Sequence, residues 1–346
     1  MKQTTIVDIA KAAGVSAYTV SKALNGQEKI SAQTRERILK LAKEMDYRPN
    51  LSAKRLRGGT YRIHVIYPKE PAEFYQYWIS GVQNAVQKIA DDRLHVSYFP
   101  CRHVNAADGY RDALEQTLSA SPDGVILVNC YPHAEYTDLL LELTARHIPI
   151  ITSVIGADDT IPVLGHVAPD PVLIGTLAAE LFSGFSVRHP AIFAGHLASD
   201  LHKQSIAAFM ESAENYHLSV CGCFETDEDP QTAYQQTGKL FSEHPAADGI
   251  YVTSYNAAGV CSYLEDHNMK DRVCVIGCDL YPALNQKLQN GSLRVSIFQH
   301  QDILGACAVQ YLYEYLCGVR TADQCALRHV VQPVFPCMLP YYQKFL

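Results

Sequence analysis

Residues 4–59 read TTIVDIAKAAGVSAYTVSKALNGQEKISAQTRERILKLAKEMDYRPNLSAKRLRGG and decide the fold of the N-terminal part of the chain. Apolar residues recur at helical spacing until Gly14, and glycine readily takes the left-handed backbone of a tight turn. Ser16 can cap a second helix, which we expect over about 17–24, because its hydroxyl can accept an unpaired backbone N–H. Ser31 can cap a third helix in the same way. This order of elements is typical of a helix-turn-helix.

The second helix of such a unit can enter the major groove of DNA with its N-terminal end toward the bases. Its outward face carries Tyr18 and Lys22, and we expect both to read base edges, since lysine can donate to guanine O6 and N7. Short polar side chains suited to phosphate oxygens are Thr5, Ser16, Thr19, Ser21, Asn25 and Thr34. The same pattern also fits a small helical bundle with a solvated basic face.

The charge of the chain is divided unevenly. Residues 1–60 hold 12 Lys+Arg and 5 Asp+Glu, a balance of +7, while the remaining residues hold 17 and 31, a balance of −14. This division predicts that the basic residues 1–60 bind a polyanion and that the acidic rest of the chain does not.

A short basic segment follows the third helix. Pro49 ends that helix, and Asn50 can cap the stretch 51–57, which is too short to hold a helix alone in water. Arg55 and its basic neighbours, together with Leu56, suit a segment that folds against DNA and wedges a leucine between base pairs. A flexible linker is the alternative. We therefore predict a DNA-binding domain over 1–48, a hinge over 49–60 and a larger domain over 61–346.

Length and composition exclude several classes of protein. The 346 residues are 48% apolar and 19% charged, which indicates a globular chain of two or three domains. No apolar run reaches the ~18 residues of a membrane helix, and the N-terminus lacks the apolar core of a signal peptide, so we expect a cytoplasmic protein. The 11 cysteines are expected to be free core thiols, with no metal site and no cofactor.

The rest of the chain alternates β-rich runs with helical stretches. The runs are IHVIY, HVSYF, GVILV, IPIITSV, AIFAG, GIYVT, VCVIG and RVSIF. This alternation predicts parallel sheets with helices on both faces, and the length predicts two such α/β lobes. Ligands of these folds bind at the carboxyl ends of the strands, so a cleft between the lobes is the expected site.

The N-terminal motifs resemble those of the lactose/galactose repressor (LacI/GalR) family. The matching segments are Thr5–Ala10, Gly14–Ser16, Thr19–Ser21, Leu24–Gly26, Thr34-Arg35, Tyr47–Asn50 and Ala53–Leu56. The resemblance implies a symmetric homodimer on double-stranded, pseudo-palindromic operator DNA. It places Ala17, Tyr18 and Lys22 at the base-reading positions. It also places Ala53 and Leu56 in the minor groove, with Leu56 as the wedge.

The larger domain is similar to the periplasmic ribose-type binding proteins, whose fold that family shares. The segments that carry this similarity are Glu73–Trp78, Gly277–Asp279 and Ser296–Gln299. The resemblance implies that Phe74 and Tyr75 stack on a sugar ring, that Asp279 and Gln299 bind its hydroxyls, and that Asn256 is a further polar contact. Trp78 belongs to the same aromatic cluster. Packing between the lobes is the alternative role for these aromatic residues.

Three departures from the family pattern affect the cleft and leave a glycoside, a nucleoside or a modified sugar open as the ligand. One is that the usual Asn-Asp pair is Asn256-Ala257. Ser205 stands where an arginine is usual, so Lys203 or His202 could take its place. Val154-Ile155 stand where ribose binders have an Asp-Arg pair, which predicts a less polar pocket.

Together these patterns predict a transcriptional repressor whose operator affinity is controlled by a small sugar-like effector. Control by a corepressor or a protein partner is the alternative. We expect no enzymatic activity, because the sequence holds no Gly-x-Ser-x-Gly, phosphate loop or dinucleotide fingerprint.

Overall fold

The N-terminal domain is a three-helix unit. The protein was analysed as a computed structural model, which describes residues 6–24, 31–45, 60–89, 94–103, 107, 109–129, 134–157 and 160–345. The helices are α1 (Ile6–Ala13), α2 (Ala17–Leu24) and α3 (Ala32–Glu44). Ile9, Val20 and Ile38 are fully buried where the three helices meet. This arrangement confirms the helix-turn-helix that the apolar spacing predicts.

The first lobe of the larger domain is a parallel six-stranded sheet with helices on both faces. Elements are numbered in chain order. Its strands are β1 (Tyr61–Glu70), β2 (Leu94–His103), β3 (Gly124–Leu127), β4 (Ile150–Ser153), β5 (Gly165–Pro169) and β11 (Leu327–His329). They lie in the order β11-β5-β4-β3-β1-β2. Its helices are α4 (Ala72–Ile89), α5 (Tyr110–Ala120), α6 (Thr137–Ala145) and α12 (Gln301–Leu316).

The second lobe repeats this plan. Its strands are β6 (Pro190–Ala194), β7 (Cys223–Glu225), β8 (Gly249–Val252), β9 (Cys274–Cys278), β10 (Val295–Phe298) and β12 (Gln332–Val334). They lie in the order β12-β10-β9-β8-β6-β7, and only β12 is antiparallel within this sheet. Its helices are α7 (Pro171–Gly184), α8 (Asp200–Asn215), α9 (Pro230–Glu243), α10 (Ala257–Asp266) and α11 (Pro282–Gln289). Short 3-10 helices cover Ala134–Tyr136, Ala322–Gln324 and Pro336–Phe345.

The chain passes between the lobes at three places: from β5 to α7, from β10 to α12 and from β11 to β12. The Asp170 N–H donates to the His329 carbonyl oxygen over 3.0 Å and so joins two of these crossings. Because carboxyl ends of parallel strands lie at one edge of a sheet, the crossings turn the two edges toward one cleft. The two-lobed α/β architecture that the sequence predicts is therefore confirmed.

Helices α4 and α12 pack with their backbones in close approach. A Cβ atom at Gly305 would overlap the carbonyl oxygen of Trp78, and one at Gly81 would overlap that of Asp302. Glycine at both positions lets α12 lie directly on the helix that carries the aromatic cluster. This contact fixes the position of that cluster beside the cleft.

The cysteines are only partly as expected. The described cysteines are all free thiols, and Cys101, Cys261, Cys278 and Cys325 are buried. Cys223 and Cys337 are exposed, so the expectation that every thiol lies in the core is wrong for these two. Within the described ranges, none of the helices is long and apolar enough to cross a membrane.

Candidate functional site

Helix α2 presents a base-reading face to solvent. The Tyr18 side chain is 69% exposed, Ala17 is exposed and Lys22 is half-exposed. The Lys22 ammonium group lies 4.6 Å from the centre of the Tyr18 ring, which is a cation–π distance. The three predicted base-reading residues thus belong to one surface helix. Their contact with bases stays a prediction.

Hydroxyl groups at the starts of α2 and α3 cap those helices. The Ser16 hydroxyl accepts the Thr19 N–H at 3.1 Å, and the Ser31 hydroxyl accepts the Thr34 N–H at 3.2 Å. The caps predicted from sequence are therefore present. Phosphate contacts by Ser16, Thr19 and Thr34 stay a prediction.

Several predicted DNA contacts lie outside the described residues. These are Thr5, Asn25, Asn50, Ala53, Arg55 and Leu56, and the side chain of Ser21 is likewise not described.

A narrow cavity lies between the lobes at the carboxyl ends of the strands. Its volume is about 50 Å³. Four of the predicted effector-binding residues line it: Phe74 and Tyr75 from the first lobe, and Asp279 and Gln299 from the second. The other lining residues are Pro71, Val154, Ile155, Leu201, His202, Glu228, Thr253, Ser254 and Tyr255. Ligand pockets commonly measure ~300–1,000 Å³, so a sugar can enter only if the lobes or their side chains move.

Asp279 is a deeply buried carboxyl group in this cavity. It is 2% exposed and has a left-handed backbone (φ 73°) directly after β9. Its carboxylate accepts hydrogen bonds from the side-chain amides of Gln299 (2.9 Å) and Gln301 (2.6 Å). Burial raises the pKa of Asp279 to about 8, against the lowering effect of these amides, and the nearby charge of Glu228 raises it further. Ionisation of the Asp279 carboxyl group in this structure therefore costs free energy.

A buried His–Glu pair lines the same cavity as Asp279. The His202 Nε2 atom lies 3.2 Å from Glu228 Oε1, and its Nδ1 atom lies 2.5 Å from the Thr253 hydroxyl. Glu228 is 8% exposed. His202, weighed above as a substitute for the usual arginine, is thus the imidazole that reaches the cavity.

Three of the seven predicted effector-binding residues do not line the cavity: Trp78, Lys203 and Asn256. Trp78 is fully buried in the first lobe, where its Nε1–H donates to the Ser153 hydroxyl over 2.9 Å. The Lys203 side chain is 57% exposed and lies 3.4 Å from the carboxylate of Asp200. Both residues flank the site, and neither side chain lines the cavity.

Asn256 belongs to a buried polar network behind the cavity wall. Its side-chain amide donates to the Thr226 hydroxyl over 2.7 Å, and its amide oxygen accepts from the Ser254 hydroxyl. Ser254 itself lines the cavity. Asn256 therefore holds a lining residue in place, and direct contact with a ligand stays a prediction.

The positions that depart from the family pattern have local explanations. The Ser205 hydroxyl lies 2.6 Å from the hydroxyl of Tyr251, and both side chains are buried. This pair fills part of the space beside the cavity. Val154 lines the cavity and has a left-handed backbone (φ 62°), which is strained for a β-branched residue. Val154 and Ile155 both line the cavity, and the less polar pocket expected from them stays a prediction.

A larger chamber of about 390 Å³ adjoins the cavity and shares Val154, Ile155 and Leu201 with it. Its polar lining includes His166 and Arg328. The His166 ring lies 2.9 Å from the Thr152 hydroxyl, and burial lowers the pKa of this histidine. No group of three or more metal-ligating side chains occurs among the residues described.

Sequence reasoning did not single out Glu228, Thr253 or Tyr255. Glu228 follows a three-residue strand that carries no clear alternating pattern. Thr253 directly follows β8, so the rule that ligands bind at strand ends could have found it.

Two family profiles match the chain. The profile described as bacterial regulatory proteins, lacI family, matches residues 5–50. The profile described as a periplasmic binding protein domain matches residues 63–319.

Similar proteins and structures cover most of the chain. The HTH-type transcriptional regulator MalR of Streptococcus pneumoniae is 27% identical over 289 residues, which is 81% of this chain and 85% of MalR. The HTH-type transcriptional repressor PurR of Pasteurella multocida is 26% identical over 324 residues, which is 90% of this chain and 91% of PurR.

Two solved structures share the fold of the larger domain. GanP, a glucose-galactose binding protein from Geobacillus stearothermophilus, has a TM-score of 0.73 at 20% identity, over 82% of this chain and 100% of its own. A putative LacI transcriptional regulator from Bacteroides fragilis has a TM-score of 0.69 at 18% identity, over 82% of this chain and 99% of its own.

Proposed function

The chain belongs to the lacI family of bacterial regulatory proteins, and we propose that a small sugar-like effector in its interlobe cleft controls its affinity for operator DNA. The protein is a transcriptional regulator with a DNA-binding helix-turn-helix and a sugar-binding-protein-like domain. The observation that carries the proposal is the cavity at the strand ends, where Asp279 and Gln299 face Phe74 and Tyr75.

The DNA-binding side of the proposal rests on charge and exposure. Residues 1–60 carry a balance of +7, and the exposed face of α2 offers Tyr18 and Lys22. We propose that phosphate contacts supply much of the affinity and that these two side chains supply base readout. Two copies of α2 in a homodimer would read the two halves of a pseudo-palindromic operator.

The control side rests on the narrowness of the cleft. A cavity of about 50 Å³ is too small for a hexose, so the lobes or the side chains that line the cavity must move when a ligand binds, and we propose that the lobes move. Three crossings connect the lobes, and such connections allow rotation of one lobe against the other. The two hinges of a dimer would move with the lobes, so a ligand that prefers one lobe arrangement would shift operator affinity.

We propose that the ligand is an inducer, which weakens operator binding. A corepressor would strengthen it, and control by a protein partner would leave it insensitive to small molecules. The similar proteins reported above are transcriptional regulators and a sugar-binding protein, and not enzymes. We therefore propose that a bound sugar is released chemically unchanged. We also propose that the protein acts in the cytoplasm.

The DNA-binding proposal is tested by selecting DNA from a random pool with the purified full-length protein. We expect an enriched pseudo-palindrome that binds two chains per duplex, as measured by fluorescence anisotropy and by mass. A variant with Lys22→Ala should enrich a different or weaker consensus at the positions that α2 reads. Enrichment of no sequence, or of a single half-site bound by one chain, would contradict the proposal.

A further inference from the structure

The cavity between the lobes is lined by more acidic side chains than basic ones. Glu228 and Asp279 both line it, and His202 is the one basic side chain among the described residues that do so. His202 is already engaged with Glu228 at 3.2 Å. Asp279 has no cationic partner in the described cavity wall, whether or not the imidazole is protonated.

The surroundings extend this negative field. Tyr255 lines the cavity, and its pKa is raised by burial first and then by the charges of Glu228, Glu73, Asp229 and Glu70. These carboxylates come from both lobes, since Glu70 and Glu73 belong to β1 and α4. An anion entering the cleft would meet repulsion from each side.

The position of Glu228 is strongly determined by the fold. Asp227 and Glu228 both adopt left-handed backbones (φ 50° and 55°), which is costly for residues other than glycine. A Cβ atom at Gly195 would overlap Glu228 Oε1, so glycine there leaves room for the carboxylate. The left-handed backbones of Asp227 and Glu228, together with the space beside Gly195, position the buried Glu228 carboxylate at the cavity wall.

Two amide oxygens beside Asp279 are unused hydrogen-bond acceptors. Gln299 is 3% exposed, lines the cavity and donates its amide hydrogens to Asp279, which leaves its Oε1 atom without a partner. The Oε1 atom of the buried Gln301 is also unpartnered. The Gln299 oxygen can therefore accept a hydrogen bond from a ligand in the cavity.

We propose that the cleft selects a polyhydroxylated ligand that carries a protonated amine, of the amino-sugar class, and rejects sugar acids and sugar phosphates. This inference rests on the proposed function, because it names the chemical class of the effector. An ammonium group brings three N–H donors and a positive charge to Asp279, Glu228 and the Gln299 oxygen. The rings of Phe74 and Tyr75, packed edge to face with their centres 5.0 Å apart, supply an apolar surface in the same cavity for the apolar side of the sugar.

The alternatives match this wall less well. A neutral hydroxyl group donates one hydrogen bond and brings no positive charge to pair with Asp279 once this group loses its proton. A carboxylate or phosphate brings only acceptors to a wall that already holds too many, so it leaves buried acceptors unsatisfied.

The experiment is calorimetric titration of the full-length protein with matched ligands at about pH 7. Within each of the gluco, galacto and manno series, the ligands are the 2-amino sugar, its parent hexose, its N-acetyl derivative and its uronic acid. We expect one amino sugar to bind at least about tenfold more tightly than its parent and its N-acetyl derivative, with the uronic acid weakest. Glu228→Gln should abolish most of this preference, and Asp279→Asn provides a second variant in case the first does not fold.

Glu211→Gln is the control, since it removes an exposed carboxylate from α8 outside the cavity. It should leave the preference intact, and melting curves verify that each variant is folded. Equal or tighter binding of a parent hexose or uronic acid would overturn the inference, as would a preference that survives both cavity variants. If a neutral sugar binds and releases operator DNA, the proposed function stands and only the ligand class is wrong. If no sugar of any charge binds, both proposals fail.

Discussion

Replacing Asp279 with asparagine should stabilise the folded protein, and increasingly so as the pH rises. Burial raises the pKa of this carboxyl group from 3.8 to about 8. Because the folded pKa lies above the unfolded one, stability from the bound proton is complete below about pH 4 and is lost as pH rises to about 8. Asparagine carries no ionisable group and tolerates the left-handed backbone at this position. The unpartnered Oε1 atoms of Gln299 and Gln301 can accept its amide hydrogens after a flip.

The magnitude follows from the two pKa values. Between the two pKa values, each unit of increasing pH lowers the free energy of unfolding of the parent protein by about 1.4 kcal/mol relative to the asparagine variant. The decrease is smaller near the upper pKa. Between pH 6 and 8 the advantage of Asp279→Asn should therefore grow by about 2 kcal/mol, or roughly 4–8 °C in Tm.

Thermal and urea denaturation of both proteins across this pH range measure the difference. Glu211→Gln serves as the exposed-carboxylate control and should show no such trend. If the difference in unfolding free energy between Asp279→Asn and the parent protein does not change with pH, the raised pKa assigned to Asp279 is wrong.

Three further substitutions test other parts of the molecule. Lys22→Ala should weaken specific operator binding by about 1–3 kcal/mol and relax specificity at one base position, as measured by anisotropy on base-substituted operators. Leu56→Ala should reduce affinity for the operator much more than affinity for unrelated DNA, and equal losses would contradict the wedge. Gly305→Ala should destabilise the protein by about 1–3 kcal/mol in urea because its Cβ overlaps the Trp78 carbonyl, whereas Gly184→Ala, with open space around it, should not.

The helix-turn-helix and most of the sheet could be predicted because their patterns are local. Each of the eight predicted β-rich runs coincides with a strand. The strands β5, β7, β11 and β12 are missed because their segments (GHVAP, CFE, LRH and QPV) hold no long apolar run and owe their strand form to neighbours distant in sequence. Pairing of β11 with β5 joins residues about 160 positions apart, which no local pattern reveals.

The cleft could be predicted in part. Asp279 and Gln299 follow apolar strands, and the strand-end rule places both at the cleft, where they do lie. Whether a side chain points inward depends on tertiary packing. Trp78 is therefore found in the lobe core and Lys203 at the surface, although both are neighbours in sequence of residues that line the cavity. Glu228 reaches the cavity because Asp227 and Glu228 have left-handed backbones, and no sequence pattern predicts this conformation here.

The central claim is that a small molecule in the cleft changes operator affinity. The most direct measurement is the Kd of the full-length protein for its selected operator, by fluorescence anisotropy, without and with saturating glucosamine, galactosamine or mannosamine. We expect that one of these amino sugars weakens operator binding saturably by at least about fivefold, and that Glu228→Gln removes the effect while Glu211→Gln retains it. An operator Kd that stays constant with these compounds, and with their neutral and acidic counterparts, would contradict the account.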